Sequence, residues 1–196
     1  MEGIIRFSPG KLPQRYQEEL TDFLFPYEKF ESLDDRAFEL KLYLRYLDQS
    51  TVLLLFKNDK IIGTVRCIWK MDEEDRLPIE YAYVTEVKNT SYDFIKDAQY
   101  VAQILPSAEV GGLKIADEIP FRERPGILMH MFKICALEGF KRNCALAYVT
   151  CDPTIVRLYI DKDQFLEVAT ITYDFKKTWA ALVRNICLER VTVETL

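Results

Sequence analysis

Between Ala108 and Leu166 the sequence carries an acid, two adjacent glycines, an arginine-rich turn and a late tyrosine, in that order. Glu109 stands at the mouth of the run Glu109-Val110-Gly111-Gly112-Leu113-Lys114-Ile115. A carboxylate there can take a proton from an attacking amine, directly or through water; a salt bridge at the rim is the plainer alternative. Paired glycines weaken a strand and mark a bulge or the close approach of a ligand or another backbone. A bulge would leave N–H and C=O groups free to hold the amides of a pantetheine arm. Tight helix packing over the glycines is the other reading.

Arg122-Glu123-Arg124-Pro125-Gly126 opens a long apolar helix. The first N–H groups of a helix lack internal partners and sit at the positive end of its dipole. Two arginines beside them make a phosphate site, or else a solvated surface turn. Tyr159, in Arg157-Leu158-Tyr159, is placed to give a proton to a leaving thiolate or simply to pack in the core. His130 shares a helical stripe with Lys133 and Lys141, which puts it on the wetter face in a structural role.

These groups need a scaffold, and the chain is long enough to build one. At 196 residues, 49% hydrophobic and 29% charged, it reads as one globular domain over residues 1–196 with a sizeable core. A net charge of −5 argues against nucleic acid as the main partner. Apolar runs such as Thr51–Phe56 are too short to span a bilayer, and the N-terminus lacks the pattern of a signal peptide. Cys67, Cys135, Cys144 and Cys187 sit in apolar patterns, and Cys151 at a strand end. With no Cys-x-x-Cys pair and a single histidine there is no zinc site, and reduced, mostly buried thiols in a cytoplasmic protein are expected.

The pattern predicts a first strand at Ile4–Phe7 and one or two helices over Leu12–Leu47, broken near Pro26. A hairpin follows, Thr51–Lys57 and Lys60–Trp69, turning at Asn58-Asp59. Lys70–Arg76 reads as a charged loop, Ile79–Val87 as a strand or extended arm, and Tyr92–Leu105 as a helix. The helix from Pro125 to Glu138 is apolar on nearly every face and should be well buried, with Gly139 as its C-terminal cap. Asp152-Pro153 starts another helix. Phe165–Phe175 and Trp179–Asn185 close the fold as strands, and Glu189–Leu196 is a loose tail. The fold class expected is α/β: a mixed sheet of about six or seven strands with helices on both faces.

This succession of elements resembles the GNAT acyltransferase superfamily over roughly Phe7 to Asn185. The superfamily's phosphate turn usually reads Arg/Gln-x-x-Gly-x-Gly/Ala, and Arg122 to Gly126 is a degenerate version with Pro125 and one glycine. Its late helix often reads Asn-x-x-Ala-x-x-Leu-Tyr, then Gly-Phe; here Asp152, Ile155, Leu158 and Tyr159 fall at that spacing, and Phe165 follows one residue late. Gly63-Thr64-Val65-Arg66, Leu77-Pro78-Ile79-Glu80 and Glu109-Val110 are similar to one branch: acyl-homoserine-lactone synthases, long-chain N-acyl amino acid synthases and exosortase-associated acyltransferases. Pro26-Tyr27-Glu28-Lys29-Phe30 lacks that branch's first-helix Arg, and Gly111-Gly112 replaces its Ser-Arg.

The resemblance implies an N-acyltransferase that moves an acetyl or longer acyl group from acyl-CoA or acyl carrier protein to a small-molecule amine, through a tetrahedral intermediate. On this reading Glu109 is the base and Tyr159 the acid. The donor lies along Val110, Gly111, Gly112, Leu113 and Ile115, with its phosphates at Arg122, Arg124, Gly126 and Ile127. Arg66, Tyr27, Phe30 and Glu80 face the acceptor. A backbone N–H near Gly112 or Leu113 would polarise the carbonyl. Arg122, Arg124, Lys141 and Arg142 would form the basic patch that an acidic carrier protein needs. An ordinary acetyl-CoA-dependent N-acetyltransferase, and a GNAT-like domain that binds without turnover, stay open as alternatives.

Overall fold

The computed structural model describes residues 3–88, 105–157, 165–173 and 178–185. Tyr159, Cys187, the tail from Glu189 and all but Leu105 of the expected Tyr92–Leu105 helix lie outside them. The described strands are β1 (Gly3–Phe7), β2 (Ser50–Lys57), β3 (Lys60–Lys70), β4 (Tyr83–Val87), β5 (Ser107–Ile115), β6 (Leu146–Cys151), β7 (Leu166–Thr172) and β8 (Trp179–Asn185). They form one mixed sheet in the order β1-β2-β3-β5-β6-β8-β7-β4. That is eight strands, more than the six or seven expected, because Tyr83–Val87 is a true strand, pairing antiparallel with β7 from Tyr83↔Thr172 to Val87↔Ala169. The described α-helices are α1 (Gln14–Leu24), α2 (Leu33–Arg45) and α3 (Arg124–Lys141).

The chain divides into two compact units, Met1–Ile68 with Gly111–Met131, and Trp69–Val110 with Phe132–Leu196. In the first, β2 and β3 form the expected hairpin. Asn58 and Asp59 take positive φ values of 51° and 60°, the left-handed pair that a tight two-residue turn demands and that these residue types tolerate. Leu12, Leu20, Tyr43 and Leu47 pack with Val52, Leu54 and Phe56, alternate residues that share one face of β2. Leu55, of opposite parity, packs with Ile62, Ile115, Ala116, Ile119 and Ile127. The two helical segments break at Pro26 as expected. Arg36 fixes the corner by donating to the Phe25 carbonyl at 2.7 Å and to Asp22 at 3.0 Å. Ser32 caps α2 through the Asp35 N–H at 3.1 Å, with Asp34 and Asp35 at the positive end of the dipole.

In the second unit β6, β8 and β7 pair antiparallel around Tyr148, Val168, Ala169 and Leu182, all fully buried. Helix α3 departs from expectation twice. Its buried stripe is Met131, Cys135 and Glu138 with Phe132, whereas His130 and Lys133 are exposed and Leu137 is 58% exposed, so it is covered on one side only. It also runs past Gly139 to Lys141. Asn143, at φ 57°, takes the left-handed position, the Cys144 N–H reaches the Gly139 carbonyl at 3.0 Å and the Asn143 N–H the Phe140 carbonyl at 3.0 Å. That is the Schellman arrangement, with asparagine in the place usually held by glycine. Cys67, Cys135, Cys144 and Cys151 are buried, with no disulfide among them. Among the described residues no helix is long and apolar enough to cross a membrane.

Candidate active site

Strand β5 positions the central candidate. Its parallel pairing with β6 runs from Ser107↔Leu146 to Val110↔Val149 and stops before Gly111. Glu109 therefore lies just before the strands part, beside Tyr148 in register. Its side chain is buried and both carboxylate oxygens are engaged: Oε2 accepts the Ile79 N–H at 2.7 Å and Oε1 accepts the Thr150 hydroxyl at 3.4 Å. Ile79 belongs to the short 3-10 turn Pro78–Tyr81, whose first N–H groups have no partner inside the turn. The carboxylate takes one of them.

Three further groups join this cluster. Lys70, expected in a solvated loop, is instead the last residue of β3 and has no exposed surface; its Nζ lies 2.7 Å from Glu80 Oε1. Glu80, predicted to face the acceptor, spends that oxygen also on the Leu77 N–H at 2.9 Å, with Arg76 3.9 Å from Oε2. The Tyr148 hydroxyl is buried without a hydrogen-bond partner among the described residues. Burial, and then the Glu80 and Glu109 carboxylates, hold its phenol far above the usual tyrosine range, so it stays neutral and can only donate or accept as O–H. Cys151, two residues on from Val149, is no nucleophile. Burial, aided by Asp152 and Glu167, pushes its thiol up to about 12.

The first unit holds the other candidates. Gly112 has φ +59°, and a Cβ there would meet Tyr43 Cε2 at 3.0 Å and Arg66 Cγ at 3.4 Å. Both the backbone and the neighbours therefore require glycine. Around Gly111 nothing stands within 4 Å of an added Cβ. Arg66 is buried, stacks on the Tyr43 ring at 3.9 Å and donates to the Tyr43 carbonyl at 2.5 Å. Burial raises the Tyr43 phenol above its usual range, and the Arg66 charge opposes this. Val110 is buried; Leu113 and Ile115 are half-buried. Lys114 donates to the Phe23 carbonyl and sits over the Phe23 ring, its pKa lowered by burial and by Lys29.

The arginine-rich turn is partly committed to its own shape. Arg124 donates to the Ile119 carbonyl at 2.9 Å and the Asp117 carbonyl at 2.8 Å, which closes the loop that enters α3. Arg122 and Gly126 are exposed, and Gly126 has open space around it; Ile127 is half-buried against Leu55 and Ile62. Tyr27 is 60% exposed under the Arg36 guanidinium, 3.7 Å from its ring centre, and Phe30 packs near Phe25 at 6.3 Å. Of the proposed basic patch, Lys141 pairs with Glu138 at 3.0 Å and Arg142 stacks on Trp69 at 4.8 Å. The sequence reading missed Lys70, Tyr148 and Thr150. Alternation gave a weak signal, since Tyr148 and Thr150 share one face of β6; nothing local pointed Lys70 inward.

No protein-family model matches this sequence, and no curated protein matches it. Solved structures do. Together the sheet, its parting at Gly111 and the helix after the arginine turn make the GNAT fold, the fold that the sequence resemblance implied. The chain is similar to FeeM, an N-acyl amino acid synthase from uncultured soil microbes, with TM-score 0.63 and 11% identity over 93% of this chain and 95% of that one. It is also similar to aminoglycoside 6'-acetyltransferase type Ii, at TM-score 0.57 and 13% identity over 94% and 97% of the two chains. A GNAT family acetyltransferase from Elizabethkingia anophelis, solved with acetyl-CoA bound, matches at TM-score 0.53 and 12% identity over 93% and 97%.

Proposed function

We propose that this protein is an N-acyltransferase that moves an acyl group from acyl-CoA or acyl carrier protein to the amine of a small molecule. The observation that carries the reading is Glu109: a buried carboxylate on β5, immediately before the strand leaves β6, in a chain with the GNAT fold. The donor phosphates are taken by Arg122 and the first N–H groups of α3 near Gly126 and Ile127, with Arg124 shaping the turn. The pantetheine runs along Val110–Ile115. Arg66, Tyr27, Phe30 and Glu80 remain the proposed acceptor contacts, Glu80 acting through its hold on the Leu77–Tyr81 turn.

In the reaction the amine nitrogen attacks the thioester carbonyl and a tetrahedral intermediate forms. The nitrogen's proton passes to Glu109 through a water, the C–S bond breaks and Tyr159 protonates the thiolate. A backbone N–H near Gly112 or Leu113 stabilises the oxyanion. The experiment is thiol release from a panel of acyl-CoAs and acyl carrier proteins with a panel of amines. With a verified pair, Glu109→Gln and Tyr159→Phe should each lower turnover about 10²- to 10⁴-fold while circular dichroism stays native. The Gln variant should recover partly at high pH, where the amine deprotonates unaided. Near-normal turnover in both variants overturns the mechanism.

One observation favours a second reading, a domain that binds an acyl thioester without turnover. Both oxygens of Glu109 already hold protein donors, and Arg124 is tied into its own loop. Saturable acyl-CoA binding without thiol release across the panel would establish that reading.

A further inference from the structure

A buried ion pair gains little net stability, because taking both charges out of water costs about as much as their attraction returns. Lys70 and Glu80 form such a pair, with side-chain exposures of 0% and 7%. What distinguishes it is where its bonds lead. Glu80 Oε1 receives both Lys70 Nζ, at 2.7 Å, and the Leu77 N–H, at 2.9 Å. The Glu80 N–H in turn reaches the Leu77 carbonyl at 3.0 Å, and the Ala82 N–H reaches the Ile79 carbonyl at 3.1 Å. The turn is thus closed by main-chain bonds and clamped from β3 through one carboxylate. Its outward donor is the Ile79 N–H, 2.7 Å from Glu109 Oε2.

We propose that Lys70 is a positioning residue for Glu109: its pairing with Glu80 clamps the Leu77–Tyr81 turn, and the clamped turn keeps the Ile79 N–H on the Glu109 carboxylate. The proposal rests on reading Glu109 as the base. A hydrogen bond to the charged form of a carboxylate favours that form. The clamp therefore favours the charged form of Glu109 and fixes one of its oxygens. Among the described residues, the charged groups of this cluster are Glu80 on the turn, which with Glu109 acts on the Tyr148 phenol of β6, and Lys70 on β3, which pairs with Glu80.

Charge alone and the clamp predict different things. Lys70→Met/Glu80→Gln removes one positive and one negative charge together, so the summed charge near Glu109 is unchanged while the clamp is lost. The test uses the full chain labelled with carboxyl-¹³C glutamate, the Glu109 signal assigned by its loss in Glu109→Gln. Its titration and the hydrogen exchange of the Ile79 amide are read in the same samples by NMR. In the double variant the Glu109 midpoint should rise and Ile79 should exchange about five- to tenfold faster, the scale of one net hydrogen bond. Lys70→Arg, which keeps the cation, should leave both near wild type. A wild-type Glu109 midpoint in the double variant, or unchanged Ile79 exchange, overturns the proposal.

If the double variant does not fold, Glu80→Gln decides through Ile79 exchange, since its Glu109 midpoint mixes loss of a negative neighbour with release of the turn: unchanged Ile79 exchange overturns the proposal and faster exchange supports it. These readouts need no turnover, so they stand even if no acyl transfer is found. Where transfer is found, the acid limb of kcat/KM should move with the NMR midpoint.

Discussion

Gly111 and Gly112 are neighbours in sequence with opposite structural demands, and substituting each by alanine separates them. At Gly112 the backbone sits at φ +59°, where a β-carbon costs ~1–2 kcal/mol. The new methyl would also lie 3.0 Å from Tyr43 Cε2. That ring cannot yield easily: it is buried, meets Phe25 edge-on at 5.6 Å and carries the Arg66 guanidinium at 3.9 Å. Crowding of this kind typically costs a further ~1–3 kcal/mol. Gly112→Ala should therefore destabilise by about 2–5 kcal/mol, which at an m-value near 2 kcal/mol/M lowers the urea midpoint by about 1–2.5 M. Gly111→Ala meets nothing within 4 Å and should leave the midpoint in place within about 0.5 kcal/mol. If that open space is where the donor arm lies, Gly111→Ala should weaken acyl-CoA binding while leaving stability alone. Equal midpoints for the two variants would refute the reasoning, as would a Gly112→Ala protein as stable as the wild type.

Arg122→Glu should weaken CoA binding by ~1–3 kcal/mol in calorimetry, the range of a charge-assisted hydrogen bond, without moving the urea midpoint. Arg124→Glu should do both, because it also removes the bonds to the Ile119 and Asp117 carbonyls; unchanged CoA affinity in both variants would sink the phosphate site. The Cys151 thiol is raised from 9.0 to about 12, so its contribution to stability is complete below pH 9 and is lost as pH rises toward 12, the unfolded chain ionising first. The destabilisation caused by Cys151→Ala, from urea midpoints, should therefore shrink over that window, and a constant difference would show the thiol is not so shifted. Asn143→Gly, which removes the β-carbon penalised at φ 57°, should hold or raise the urea midpoint, whereas Asn143→Ala keeps the β-carbon and loses the short polar side chain that tolerates the left-handed region, and should lower it.

What the sequence revealed was mostly local. Asn58-Asp59 announced its hairpin because two left-handed residues in a row suit few side chains. Pro26 announced the break between α1 and α2, and Gly111-Gly112 the end of the β5–β6 pairing. The misses concern what distance along the chain conceals. Ile79–Val87 read as a strand or an extended arm, and the choice stayed open because the partner strand of Tyr83–Val87 lies more than eighty residues on. The end of α3 was placed at Gly139 on residue type alone, while Asn143 proved equally able to take the left-handed position. At the site, Glu109 was visible but its surroundings were not. Lys70 opens a run of charged residues and looked solvated, until Glu80, ten positions later, is brought against it. Arg124 looked free because its acceptors are main-chain carbonyls, which no side-chain pattern advertises.

The pairing of β4 with β7 also sets a timetable for the nascent chain. Tyr83 leaves the ribosome 89 residues ahead of Thr172, its register partner, as the difference of the two positions shows. At about 5–20 residues per second, that interval lasts roughly 4–18 s. Throughout it, an exposed stretch bearing Tyr81 and Tyr83 waits with no β7 to bond, while the β2–β3 hairpin, separated by only two residues, closes as soon as it emerges. The β4–β7 pairing can therefore form only after Thr172 has been made, and slowed translation or truncation before Leu166 would leave Tyr83–Val87 without it.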